Sequence, residues 1–293
     1  MRSQLNQTES PGHAVRRICH RHVDQALAGL RKAHQTEVVH AVRKEIKRMR
    51  AIFRLARGGL SRKEYRKTAK LMRLAAKPLA VSRDAHVTQK AFESLAGRKA
   101  GQFPNLQSAL EAHCRLAERS FKDQDSEALS KYILRKTGGQ LGHLKLKQAG
   151  WAETKAGLKK SYTDGRGAWK LARLKPSPGH FHDWRKQVKS LWYQLDFLCS
   201  DWPPKSKAML GRLDKLGQQL GDNHDLELLE HFVKEHAAPS RETAAVQQLI
   251  DSKRRHFGER ARLLGSRLFA KTPELVCAQL ERDWKAWRGG HSG

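Results

Sequence analysis

The chain has 293 residues, 39% of them apolar, and sets 58 Lys+Arg against 29 Asp+Glu, a formal charge of +29 before any of its 15 histidines is protonated. That apolar content can build a sizeable core and excludes wholesale disorder; no apolar run nears the roughly 20 residues of a membrane span. So large an unbalanced charge disfavours a compact chain and calls for a polyanionic partner: nucleic acid, an anionic membrane face or a phosphate polymer.

In chain order, the polar start, residues 1–17, lacks the apolar segment of a secretory signal. Cys19, Cys114, Cys199 and Cys277 are scattered, with no C-x-x-C pair, so neither a disulfide framework nor a thiolate zinc site is expected. A reducing cytoplasm is the expected compartment. Helical periodicity predicts helices over 12–34, 36–57, 62–77, 83–96, 105–122, 125–137, 151–174, 179–200, 204–220, 223–236, 241–270 and 273–288. Breaks are predicted at Gly58-Gly59, Gly97 to Pro104, Gly138-Gly139, Pro176 to Gly179, Pro203-Pro204 and Pro239. Short connections make successive helices antiparallel neighbours, so the fold class is all-α, a helical bundle.

The pattern H-x-x-R-K-x-x-K occurs twice. His40, Arg43, Lys44 and Lys47 match His182, Arg185, Lys186 and Lys189 at an offset of 142 residues. Apolar positions correspond as well: Val42, Ile46, Met49, Phe53 and Ala56 against Trp184, Val188, Leu191, Leu195 and Leu198. Further on, Leu79 and Asp84 match Leu220 and Asp225 at an offset of 141. The chain therefore reads as two copies of one helical unit.

On a wheel of about 100° per residue with His40 at zero, Arg43, Lys47, Arg50 and Arg54 fall within about 80° on one side. Lys44 and Arg48 fall within about 80° on the other, and the apolar set clusters at about 200°. One face packs inward and the other is a cationic ridge. In the second copy the ridge is His182, Arg185, Lys186, Lys189 and Tyr193. Residues three or four apart stand about 5–6 Å from one another, a spacing that suits successive phosphates. Arginine supplies a planar fork, lysine a point charge and histidine a donor whose charge adjusts near neutral pH.

The plain alternative is a solvated helix face. Such faces usually mix signs, yet this ridge carries no acid between His40 and Arg54, and Glu45 lies on the flank of the apolar side. Asp84 and Asp225 follow turn-like segments, where each would cap a helix or hold an arginine. Trp184, Leu191 and Leu195 sit at core spacing. Catalysis is not expected. His182-Asp183 is an HD dipeptide of the kind metal phosphohydrolases use, but Asp183 points about 100° away from His182, and His13, His20, His22 and His34 follow no metal-ligand spacing. No P-loop, HExxH or Gly-rich phosphate loop appears.

These residues resemble the CHAD domain, the conserved histidine α-helical domain. The resemblance rests on VHAVRKEIKRMRAIFRL at 39–55, SRDAHV at 82–87, GLKKSYTDGRGAWKLAR at 157–173, FHDWRKQVKSLWYQLDFL at 181–198 and LGQQLGDNHDLELL at 216–229. It covers roughly 12–290 as one domain, divided into halves at 12–148 and 149–290. It implies two four-helix bundles related by pseudo-two-fold symmetry, whose basic helices face a central groove that binds inorganic polyphosphate. Phosphate or sulfate would occupy the same site, and no cofactor is implied. The implied ligand-facing residues are His40, Arg43, Lys47, Arg48 and Arg50, then His182, Arg185, Lys186, Lys189 and Tyr193, with Tyr162 and Arg166 on the preceding helix. Lys44 and Arg54 join them from the ridge itself, although Lys44 stands where many members carry an apolar residue. Ser190 and Trp192 stand where the first copy has Arg48 and Arg50, so an asymmetric pocket is expected. Some members carry a fused triphosphate tunnel enzyme domain, and nothing in this sequence suggests one. The implied function is non-catalytic polyphosphate binding in the cytoplasm, with association to storage granules. The alternative is non-specific binding of nucleic acid.

Overall fold

Proline and glycine punctuation sets most of the helix boundaries in the computed structural model, which describes residues 4–31, 36–146, 150–199 and 202–289. Among the described residues every regular element is helical, in the order α1 Pro11–Leu30, α2 Thr36–Leu55, α3 Arg62–Ala76, α4 Ala80–Ala96, α5 Pro104–Asp123, α6 Ser126–His143, α7 Trp151–Leu174, α8 Pro178–Leu198, α9 Pro204–His236, α10 Arg241–Leu268 and α11 Pro273–Gly289. Serines begin four of them: the hydroxyls of Ser10, Ser61, Ser177 and Ser240 accept backbone N–H bonds of α1, α3, α8 and α10, satisfying donors a helix start otherwise leaves open. The ends predicted at residue 34 and residue 200 lie outside the described residues.

Two predicted breaks are absent. The separate helices expected over 204–220 and 223–236 are one helix, α9, of 33 residues. Its buried residues Leu213, Leu216, Leu220, Leu226 and Leu229 keep the helical period through the supposed gap. Gly217 and Gly221 are spacing devices and not punctuation. A Cβ at Gly217 would stand 3.0 Å from Lys189 Cε, and one at Gly221 would stand 3.7 Å from Arg185 Nε. The corresponding place in the first half carries Pro78, and there the chain does break, between α3 and α4. Likewise α6 runs through Gly138-Gly139 to His143, with Gly138 set against Val23 of α1.

The core runs across both halves of the sequence. Ile46, Met49 and Phe53 of α2 join Trp184, Val188, Leu191 and Leu195 of α8 in one buried cluster, each 1% exposed or less. The Gln194 side chain donates to the Ala51 carbonyl at 2.9 Å, which fixes α8 against α2. A second cluster joins Phe92, Leu106 and Leu110 of the α4–α5 region to Leu226, Leu229 and Phe232 of α9 and Val246 and Ile250 of α10. With these apolar faces buried on each other, the cationic faces of α2 and α8 are turned to the same space.

Candidate functional site

That space is a cavity of about 1180 Å³ walled by α2, α3, α4, α8 and α9. From α2, His40, Arg43, Lys44, Lys47, Arg50 and Arg54 line it; from α8, His182, Arg185, Lys186, Lys189 and Tyr193 do. The wheel drawn on the sequence places all of these on one face of each helix, and the core packing aims those faces inward. The lining holds twelve lysines and arginines against a single acid, Asp84. The lining is strongly cationic.

Three walls were not anticipated. Arg66, Lys70 and Arg73 of α3 line the cavity, and so do Arg83 of α4 and His224 of α9. Arg66, Lys70 and Arg73 stand at i, i+4 and i+7 with no acid between them, the signal that singled out α2. Gly217 and Gly221 bring α9 close enough for Lys189 and Arg185 to lie along it.

Hydrogen bonds fix several of the cations. Arg43 donates to the Ala76 carbonyl at 2.7 Å, closing the C-terminus of α3. Arg54 donates to Gln187 at 3.0 Å and to Asp164 at 2.6 Å, tying α2 to α8 and α7. Arg83, 7% exposed, donates to Asp84 at 2.8 Å and lies 3.7 Å from Asp225. Of the two roles the sequence offers these acids, capping a helix or holding an arginine, this arrangement is the second. Lys186 pairs with Asp183 at 3.0 Å, and Lys189 faces Asp214 at 3.7 Å.

Crowding of like charges under burial shifts the titration of these groups. Burial first, then Arg83, Arg185 and Arg43, pushes Lys47 down to about 7. His182 is pushed down to about 4 by burial and by His224, whose Nδ1 lies 3.2 Å from the His182 Nδ1. Burial also lowers His40, with Arg83 and Lys47 adding to it. Arg43 and Arg185 are lowered mainly by burial, and burial raises Tyr193. A bound polyanion would favour the charged form of each of these cations and so oppose the depressions that burial and like charges produce.

Three residues implied by the resemblance stand elsewhere. Arg48 is outside the lining; it pairs with Glu45 at 3.2 Å and lies over the Tyr193 ring at 5.8 Å. Burial raises Glu45, but its bonds to His22 and Arg48 outweigh burial and hold the carboxyl below its usual range. Tyr162 is 1% exposed, and its hydroxyl donates toward the carbonyls of Leu268 and Lys271 at 3.1 and 3.0 Å. Arg166 donates from Nε to the Phe269 carbonyl at 3.0 Å. Tyr162 and Arg166 therefore clasp the turn between α10 and α11, and neither is among the residues lining the cavity. Both lie on α7, whose contacts with the residues after α10 turn these polar groups away from it.

The CHAD domain profile matches residues 14–234. The chain belongs to the CHAD domain family. Among solved structures, the CHAD domain from the plant Ricinus communis superposes with a TM-score of 0.58 at 16% identity, covering 95% of this chain and 94% of that one. At that identity the likeness is one of fold. Comparison with curated proteins gave no match. The cavity of this CHAD domain lies within the matched span, since its lining runs from His40 to Leu228.

Proposed function

We propose that this CHAD domain binds inorganic polyphosphate in the cavity between α2 and α8 and performs no chemistry on it. The observation that carries the reading is the convergence of twelve lysines and arginines with one acid on the walls of a single cavity. Charge-assisted bonds from such donors to phosphate oxygens are the strong kind, and arginine forks match phosphate geometry. Packing and hydrogen bonds already hold Arg43, Arg54 and Arg83 in place, so binding orders little that was free. The twin ridges of α2 and α8 are the repeat-related halves of one groove in this reading. Association with phosphate-rich granules in the cytoplasm would follow from the same binding.

Nucleic acid would be attracted by the same charge, but base recognition needs open aromatic faces. Tyr65 is stacked on Phe53 at 5.4 Å with Arg57 over its ring, and Tyr193 carries Arg48. The cavity offers phosphate donors in quantity and little to stack on.

Fluorescence-anisotropy competition at 150 mM salt tests the reading. Labelled long-chain polyphosphate is displaced by unlabelled polyphosphate and, in a parallel series, by duplex DNA at equal phosphate concentration. Displacement by polyphosphate alone is expected, and charge reversal at Lys47 or Lys189 should weaken it far more than reversal at the exposed Lys99 or Lys271. DNA competing equally well, or equal losses from both pairs of variants, would leave only a diffuse basic surface.

A further inference from the structure

The corner between α7 and α8 is basic and apolar at once. From Gly165 to His182 the chain carries Arg166, Lys170, Arg173 and Lys175 and no acid. The last turn of α7 holds Leu171 and Leu174, 44% and 71% exposed, and no large apolar side chain among the described residues is more exposed than Leu174. Three residues apart, the two leucines are neighbours on the helix surface. Lys170, Arg173 and Lys175 are exposed beside them.

Two residues after Leu174 the chain enters the wall of a second cavity, of about 550 Å³. Pro176, Ser177 and Pro178 line it from the corner, and α10 contributes Arg254, Arg255 and Arg262 against one acid, Asp251. It shares no lining residue with the cavity of α2 and α8. Arg254 is already engaged, pairing with Glu230 and donating to Asn223 at 3.3 Å. Among the described residues, Arg255 and Arg262 have no carboxylate within ion-pair distance. The positive end of the α8 dipole also opens here, at Ser177 and Pro178. Two uncommitted guanidinium forks beside a helix N-terminus suit a phosphate group.

Charge alone would draw any polyanion, and the leucines decide the class. A phosphate polymer or a nucleic-acid backbone has no apolar surface with which to cover Leu171 and Leu174. Exposed apolar side chains set among lysines and arginines are the pattern of an interfacial membrane contact. A bilayer containing anionic lipids supplies both chemistries, charged headgroups at the surface and hydrocarbon beneath them. We infer that the α7–α8 corner docks on anionic phospholipid membranes, placing Leu171 and Leu174 below the headgroups while Arg255 and Arg262 take a lipid phosphate in the adjoining cavity. The contact is peripheral, and no described helix is long and apolar enough to cross a bilayer. It uses residues other than those of the polyphosphate reading and stands or falls apart from it.

A net charge of +29 draws the whole protein to anionic vesicles at low salt, so the test reads insertion and not attraction. Leu174→Cys and, as a control on α5, Leu116→Cys are each labelled with an environment-sensitive NBD dye. Leu116 is 62% exposed, and the four native cysteines are buried. Vesicles of phosphatidylcholine with about a third phosphatidylserine should brighten and blue-shift the dye at position 174 and leave it unchanged at 116. Phosphatidylcholine alone should do neither. Sedimentation with the mixed vesicles at about 0.5 M salt, where surface attraction is screened, adds a second readout. A variant carrying Leu171→Ser and Leu174→Ser keeps its charge and should bind about tenfold or more weaker than the parent. Arg255→Gln with Arg262→Gln should weaken binding more than Arg98→Gln with Lys99→Gln, a pair equal in charge and also exposed. Equal dye responses at 174 and 116 would overturn the inference, as would equal sedimentation of parent and leucine variant. A cavity that serves free phosphate instead would leave the dye at 174 unresponsive to vesicles, which overturns it too.

Discussion

Arg83 of α4 lies 3.7 Å from the carboxylate of Asp225 on α9. It also donates to Asp84 at 2.8 Å, so one arginine is held by the two aspartates that correspond between the halves of the sequence. The same acids act on the matching arginines of the ridges, Asp84 on Arg43 and Asp225 on Arg185. Asp225→Asn should therefore leave several cations facing each other with less counter-charge. The expected result is a loss of about 1 kcal/mol in the empty protein and a larger rise in Tm on adding polyphosphate than the parent shows. Thermal melts with and without the polymer check both. An unchanged ligand response would mean the acid has no part in balancing the site.

The linear run of the α2 ridge sets a length for its ligand. From His40 to Arg54, at 1.5 Å per residue, the ridge extends about 21 Å, the reach of about seven units of an extended phosphate chain. Affinity should climb steeply with chain length up to about that size and only statistically beyond it, measured by titration calorimetry with size-fractionated polyphosphates at fixed salt. A climb that continues unchanged to several times that length would place the binding on the outer surface.

Much of this site was legible because ridge and core share one helix. The alternation of Arg43, Lys47 and Arg50 with Val42, Ile46 and Met49 fixes which face is buried and hence where the cations point. The α3 wall was as periodic, but Arg66, Lys70 and Arg73 have no partner in the second-half motif to draw attention to them. Gly138-Gly139 misled because glycine signals both a break and a close approach, and only the neighbouring helix, here α1 with Val23, decides which. Tyr162 and Arg166 carry the residue types of a phosphate site, yet their targets are the carbonyls of Leu268, Phe269 and Lys271. More than a hundred residues separate donor from acceptor, beyond the reach of any local pattern.

Proton uptake should accompany binding. Lys47 at about 7 and His182 at about 4 hold fewer protons in the folded, empty protein than in the unfolded chain. Where the unfolded state binds more protons, stability rises with pH. The empty protein should thus weaken as pH falls from about 10.4 toward 7 through Lys47, and again from about 6.5 toward 4 through His182. A polyanion restores both charges, so near pH 8 its binding should take up on the order of one proton at Lys47. Calorimetry in two buffers of different ionisation heat measures that number, and a heat independent of buffer would contradict it.

Tyr162 separates clasping from ligand contact. Tyr162→Phe removes a buried hydroxyl placed against the carbonyls of Leu268 and Lys271 while leaving the ring in its contact with Phe269 at 5.4 Å. A hydrogen-bonding role predicts a loss of about 1–2 kcal/mol in stability, since the carbonyls lose a buried donor. Polyphosphate affinity and its salt dependence should stay at the parent values at a temperature where both proteins are folded. Had the hydroxyl faced the ligand, as the resemblance implies, affinity would fall with little change in Tm. Denaturant melts paired with anisotropy titrations distinguish the two, because the two roles move different observables.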